Sequence, residues 1–594
     1  MPRNEDAIPG HHQVGFDEVV TDTARTAANN RNLKWGIIPR LLWLLHMNLS
    51  LHLDDRWRLA AALLTAGLAL GGCNAAGRPV AAAAAPKPML IPVPGAGFSS
   101  QVLLTTGEAV GDYRPPGVLD GMVAFPSRDA ESVELFVTHE LEASEGRSYR
   151  LANGTELTGS RITRFSIDRR TRRITSARLA YWEVRDRAGR VVADGSQLGG
   201  RSGKGTAGLE SFCSASGWSA GEYGFVDRLV MAHEEVTRSE GHPQGGTIYA
   251  LDVAGETLWA LPELGRGSWE NSAALSTPDG ARPDGHVALL LGDDLEFGRA
   301  PLYLWIGRKI PGGNFTERNG LARGQLHVWV ADNGDRTPQQ WLGSGTAREG
   351  RFVPLATRTA DGKPGGETDA AGYFNDPELR RRAGALGAFT FSRPEDLHTN
   401  PRKGTQVVFT STGHGGQYPA DDWGNVYLMD VTFTTDADGD LAAEGSGRLF
   451  YDSDETGDRG LRSPDNLVWA SNGLIYVQED KATKRAAFGA DSGREASVWS
   501  LDPAGGSPPG RIAEIDRRAV PAGSTDSKAG ELGAWESSGI VDVTPLLGGA
   551  TGEILLLANV QAHGVTDGRI GGPGGLVEAS QLLLLSGGRA PALR

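Results

Sequence analysis

The sequence predicts an all-β fold: a six-bladed β-propeller closed by an N-terminal strand, with insertions near blade three. Three observations lead there. Glycine and proline make up 82 and 32 of 594 residues and are spread between short apolar runs, the pattern of many strands joined by tight turns. A unit of about four short strands recurs along the chain six times, as propeller blades do. The sixth unit stops after its third strand, and residues 100–106 (SQVLLTT) offer the missing one, so that the ring closes without exposed sheet edges.

The unit is clearest at residues 391–413. The acid pair Glu395-Asp396 follows Arg393-Pro394, the turn NPRKG spans 400–404, and the apolar run Val407-Val408-Phe409 comes next. Two strands about a tight turn form an antiparallel hairpin, which sets the start of its first strand beside the end of its second. Equivalent runs, each ending in polar or acidic residues, occupy 133–140, 228–235, 286–294, 405–413, 473–480 and 552–564. Each is followed by another strand-like run, at 161–168, 247–253, 301–307 or 325–332, 425–431, 497–503 and 581–587. Residues 311–323 and 338–382 read as insertions within or beside the third unit.

The net charge of −14 argues against nucleic acid or an anionic membrane as partner. Two cysteines, Cys73 and Cys213, exclude a disulfide framework and a cysteine-based zinc site. Cys73 ends a short apolar segment, 59–72, that follows Arg56 and Arg58. That segment is too short for a comfortable membrane span and fits a secretory signal. Its ending, Leu70-Gly71-Gly72-Cys73, resembles a bacterial lipobox, which implies lipidation at Cys73 and export. The chain therefore divides into an N-terminal extension with its signal segment (1–73), an Ala/Pro-rich linker (74–94) and the propeller (95–594).

Acids gather where the hairpin geometry brings strand ends together. Before first strands stand Glu270, Glu395, Asp465 and Glu536; at the ends of second strands stand His139-Glu140, His233-Glu234-Glu235, Asp293-Asp294 and Glu479-Asp480. Like charges crowded at one mouth of a channel need cations or protons to compensate them. Carboxylates with asparagine oxygens suit Ca²⁺, and histidine beside glutamate suits a transition metal. The candidate metal ligands are Glu140, His233, Glu234, Glu270, Glu395, Asp465 and Glu479. Cys213 reads as a small buried residue, and Asp436–Asp440 as a hairpin turn without the glutamate of a calcium loop.

Together, His139-Glu140, Cys213…Gly217-Trp218, Glu234-Glu235, Trp269-Glu270, Arg393-Pro394-Glu395, Ser463-Pro464-Asp465-Asn466, Glu479-Asp480 and Asn559-Val560-Gln561-Ala562-His563-Gly564 resemble, in that order, the PhoX-type alkaline phosphatases. These are secreted bacterial propeller enzymes. The resemblance implies phosphomonoester hydrolysis at a cluster of calcium and ferric ions. By position, Glu234, Glu270, Glu395 and Asp465 would be ligands, and Arg393 would grip phosphate as the catalytic residue. The chain departs from the family where His233 replaces a cysteine associated with iron, where Thr138 replaces an asparagine, and in lacking a twin-arginine signal.

The expectation is an exported calcium-dependent phosphatase, lipid-anchored in the cell envelope or periplasmic, with iron or another transition metal as a second cofactor. It would act as a monomer on small phosphorylated substrates, touching the membrane through a lipid anchor only. Two other classes fit the same residues. A calcium-dependent lactonase or esterase would not need Arg393 in the mouth, and a non-catalytic surface-binding propeller would show no turnover.

Overall fold

Apolar runs rich in Val, Leu, Ile and aromatic residues, punctuated by Gly, Pro and Asp turns, form antiparallel strands throughout the domain. In the computed structural model, residues 85–198, 208–236, 244–295, 298–481 and 487–588 are described, and they belong to one unit spanning residues 83–594. Cys73, the apolar segment before it and the start of the linker lie outside the described residues. The fold is nearly all-β: among the described residues only Asp376–Leu386 forms a helix of more than about one turn.

The strands fall into six up-and-down runs. The first comprises Leu119–Pro126, Ser132–His139, Arg161–Asp168 and Arg173–Leu179; the second, Phe212–Trp218, Leu229–Glu234, Ile248–Asp252 and Thr257–Ala260. The third comprises Trp269–Leu275, His286–Asp293, Tyr303–Arg308 and Gly324–Ala331; the fourth, Pro394–Thr399, Gln406–Ser411, Asn425–Thr435 and Leu441–Asp452. The fifth comprises Pro464–Trp469, Ile475–Glu479, Ser497–Leu501 and Gly510–Ile515. The sixth has Glu536–Asp542, Ile554–Ala562 and Ala579–Gly587, and its outer strand is Phe98–Thr105, paired antiparallel from Phe98↔Gly587 to Thr105↔Gln581. The leading strands of successive runs contact one another in order, and that of the sixth meets that of the first.

Three additions depart from the simple repeat. Glu183–Arg185 pairs parallel with Thr257–Ala260 as a fifth strand of the second run. Leu90–Pro92, placed by the sequence in the linker, pairs with Gly510–Ile515, and Met89 and Leu90 are fully buried there. The insertion after the third run contains Ala347–Leu355, which pairs with the outer strands of both the third and fourth runs and joins them into one nine-stranded sheet. Behind that staple, Trp329, Trp341, Phe389, Phe391, Phe409 and Tyr427 pack ring against ring with centroids 4.7–6.1 Å apart. Strands such as Ser132–His139 and His286–Asp293 are buried along their whole length, because each sheet is covered on both faces by its neighbours.

Candidate metal centre

The site begins with a backbone irregularity repeated in all six leading strands. Each loses register with its partner near its start, between Leu119/Met122, Phe212/Ala215, Trp269/Ser272, Pro394/Leu397, Pro464/Leu467 and Ser538/Ile540. A β-bulge re-aims the side chains it carries. The bulge residues of the first five strands include Asp120, Cys213, Glu270, Glu395 and Asp465. In four of the five, the residue two places earlier is left-handed: Val118 (φ 50°), Ser211 (45°), Arg393 (61°) and Ser463 (39°). None is glycine, so each holds a costly conformation that the surrounding contacts must maintain.

The strand ends then meet. Ligand atoms of Asp120, Glu140 and Cys213 lie within 4.8 Å of one another; so do those of Cys213, Glu235 and Glu270, and those of Glu270, Glu395 and Asp465. Cys213 and Glu270 are each shared by two groups, so the three form one continuous line of donors. Both carboxylate oxygens of Glu270 and Oδ1 of Asp120 are buried without a hydrogen-bond partner among the described residues. Burial, followed by repulsion from the neighbouring carboxylates, raises the pKa of Glu270, Glu235, Glu395, Asp465 and Asp120 well above the usual range. The same causes lift Glu140 and Asp480 to about 7, Glu536 being the strongest neighbouring charge for each. Burial and then Glu270 push the Cys213 thiol up. So many desolvated acids with orphaned oxygens fit cations: carboxylates for a hard ion, the sulfur for a softer one.

Arg393 sets a buried cation beside these acids. Its Nε donates to Oδ1 of Asp294 at 2.7 Å and its Nη2 to Oδ2 of the same carboxylate, a planar fork; Nη2 also lies 3.4 Å from Glu395. Burial opposes its charge, but Asp294 and Glu395 outweigh burial and raise its pKa. Glu395 in turn accepts a hydrogen bond from the Thr412 hydroxyl at 2.7 Å. Next to it, Asp396 accepts from the Leu467 amide at 2.9 Å and lines a cavity of about 260 Å³ between the six leading strands.

The structure thus brings together Glu140, Glu270, Glu395, Asp465 and Arg393. It places three other candidates apart. Glu234 accepts from the backbone amides of Thr247 (3.2 Å) and Glu210 (3.3 Å). Glu479 accepts from Arg462, from the Ser497 amide and from the Trp499 indole at 2.9 Å. His233 bonds to the Ser272 hydroxyl at 3.0 Å, and burial drops its pKa to about 3. For the two glutamates the reason is the two-residue period of a strand: consecutive side chains face opposite sides, so Glu235 and Asp480 reach the mouth where Glu234 and Glu479 do not; His233 shares the parity of Glu235 but stands two residues further back along the strand, against Ser214 and Ser272. Asp293 and Asp294 divide likewise, Asp293 to Arg380 and Asp294 to Arg393. The sequence does not single out Asp120, because no proline or tryptophan marks its strand start, nor Cys213 as a donor, because a lone thiol reads as packing.

The family model described as Alkaline phosphatase PhoX matches residues 257–532. Among solved structures, Pseudomonas fluorescens PhoX in complex with vanadate, a transition state analogue, aligns at 17% identity and TM-score 0.52, over 85% of this chain and 97% of that chain. At that identity the likeness is one of fold. The soluble aldose sugar dehydrogenase of Escherichia coli in its apo form aligns at 11% identity and TM-score 0.27, over 70% of this chain and 99% of that one. No curated protein matches the chain. Residues 257–532 therefore carry the sequence pattern of the PhoX alkaline phosphatases, the family that the order of the motifs resembles.

Proposed function

We propose that this protein is a calcium-dependent phosphomonoesterase with a multi-cation centre in the mouth of a six-bladed propeller. The observation that carries this reading is Glu270, buried with both oxygens unpartnered and shared between two donor groups. The residues that would hold cations are Asp120, Glu140, Cys213, Glu235, Glu270, Glu395 and Asp465. The all-carboxylate group Glu270, Glu395 and Asp465 suits calcium, and the groups containing Cys213 suit iron or another transition metal. Bound cations supply charge neutralisation for a phosphoryl group and a water of lowered pKa.

The chain's own residues do the rest. Asp294 occupies one edge of the Arg393 guanidinium and fixes its plane, which leaves Nη1 for a phosphate oxygen. Pro394 limits the backbone between Arg393 and Glu395, so the phosphate contact and the cation ligand keep one spacing. Burial of the mouth keeps these charges in a low dielectric, where they act strongly on charge developing at phosphorus. A lactonase or esterase would have no use for this guanidinium. The test is turnover of a chromogenic phosphomonoester, and of an ester and a lactone, with calcium and after chelation. Chelation should abolish phosphomonoester turnover and calcium should restore it. Arg393→Lys should keep its metals and lose on the order of a hundredfold in rate. Chelator-resistant turnover, or hydrolysis of only the ester or lactone, would refute the assignment.

A further inference from the structure

Away from the centre, the fourth run holds a second group of buried acids. Asp421 is fully buried; its Oδ1 accepts from Nδ2 of Asn425 at 2.8 Å, and its Oδ2 has no partner. Asn425 faces it with this Nδ2, its own Oδ1 is buried without a partner, and Asn425 pairs across the sheet with Asp452. The turn that follows, Asp452-Ser453-Asp454, comes back to the same loop: Asp454 accepts from the amides of Asp422 (2.9 Å) and Trp423 (3.2 Å), and the Ser453 amide donates to the Gly424 carbonyl. The Ser453 hydroxyl is buried and unpartnered as well, and the buried Tyr427 phenol lies beside Asn425. Burial and then Asp454 and Asp452 hold Asp421 far above the usual carboxylate range. Among the described residues no ion pair reaches Asp421, Asp452 or Asp454; the oxygens of Asp452 accept the backbone amides of Gly343 at 2.9 Å and Asp454 at 3.0 Å.

An uncompensated buried carboxylate beside orphaned oxygens calls for a proton or a cation. The carboxylates alone do not form a compact triad among the described residues, so neutral amide and hydroxyl oxygens must complete any ligand set. Mixed carboxylate, amide and hydroxyl oxygen, without nitrogen or sulfur, is the donor chemistry of calcium. We propose that Asp421, Asn425 and the Asp452–Asp454 turn hold a calcium-class cation of their own, apart from the central cluster. Its structural consequence is a brace. The loop it would fix begins at Thr412, which donates to Glu395, and ends at Trp423, whose carbonyl accepts the amide of Ser463 at 2.7 Å. Both ends therefore touch segments that carry central acids.

The measurement is calcium per chain by elemental analysis of the intact protein, with the melting temperature before and after chelation. Asp421→Asn keeps the shape and removes the charge. It should bind one equivalent of calcium less than the parent and melt at lower temperature in calcium, while Glu270→Gln retains this equivalent. If Asp421 is merely protonated, Asp421→Asn leaves calcium content and melting temperature unchanged, and the proposal is wrong. Should that variant fail to fold, Asn425→Asp decides. With a cation present the added charge raises the melting temperature in calcium; without one it lowers it, and added calcium does not restore it. None of these readouts depends on turnover, so they stand or fall separately from the phosphatase reading.

Discussion

At the scale of the residue, adjacent glutamates of one strand have different surroundings. Glu234 is held by two backbone amides, and Glu235 lies with Cys213 and Glu270. Glu235→Gln should lower metal content and phosphomonoester rate together. Glu234→Gln should leave metal content near the parent value and lower the melting temperature, because the amides of Thr247 and Glu210 then face a weaker acceptor. Elemental analysis and turnover of the two variants check this; equal metal loss in both would remove the distinction. Sequence reading located both pairs, Glu234-Glu235 and Glu479-Asp480, yet which member faces the mouth depends on strand register. Register is a property of partners far away in the chain, so a motif alone does not carry it. Glu270, Glu395 and Asp465 were legible because Trp or Pro marks the strand start immediately before each.

At the scale of the element, the bulge is what brings a donor side chain of its strand into the line of acids. Gly121 shows how little room it leaves: a Cβ there would stand 2.0 Å from the Ala215 amide nitrogen and 2.4 Å from the Ser214 carbonyl carbon, both backbone. Gly121→Ala must push the leading strands of the first and second runs apart, and with them Asp120 and Cys213. Overpacking of this kind costs about 1–3 kcal/mol. The variant should melt lower and lose metal more readily to a chelator; unchanged melting and retention would mean the strands separate freely. The hairpins themselves were readable from their turns and apolar runs. The bulges were not, since a register shift leaves no mark when the extra residue is an ordinary Asp, Cys or Glu. Nor was the staple Ala347–Leu355, which lies in a stretch whose alternation is broken by Gly350 and Pro354.

At the scale of the molecule, all six runs feed one desolvated pool of acids, and proton and cation compete for it. Without metal, Glu140 and Asp480 titrate at about 7 in the fold, against about 4 in an unfolded chain. Between those values the fold binds more protons than the unfolded chain, so its stability falls as pH rises. The chelated protein should therefore melt at progressively lower temperature from about pH 5 to pH 8, and calcium should remove that decline by holding the ionised form. A chelated protein whose melting temperature rises over this range would show that the pool is not burdened by its own charge.

The ring has one further property. Its seam is non-covalent: Phe98 lies opposite Gly587 on neighbouring strands, while the chain before Phe98 crosses to the fifth run as Leu90–Pro92. A short peptide joining Gly587 to Phe98, with the chain reopened in the turn at 437–439, would keep the six runs and give up only the pairing of Leu90–Pro92 with Gly510–Ile515. The order in which the six runs are translated is thus separable from the order in which they stand, and circular permutation can move the seam from the sixth run to another.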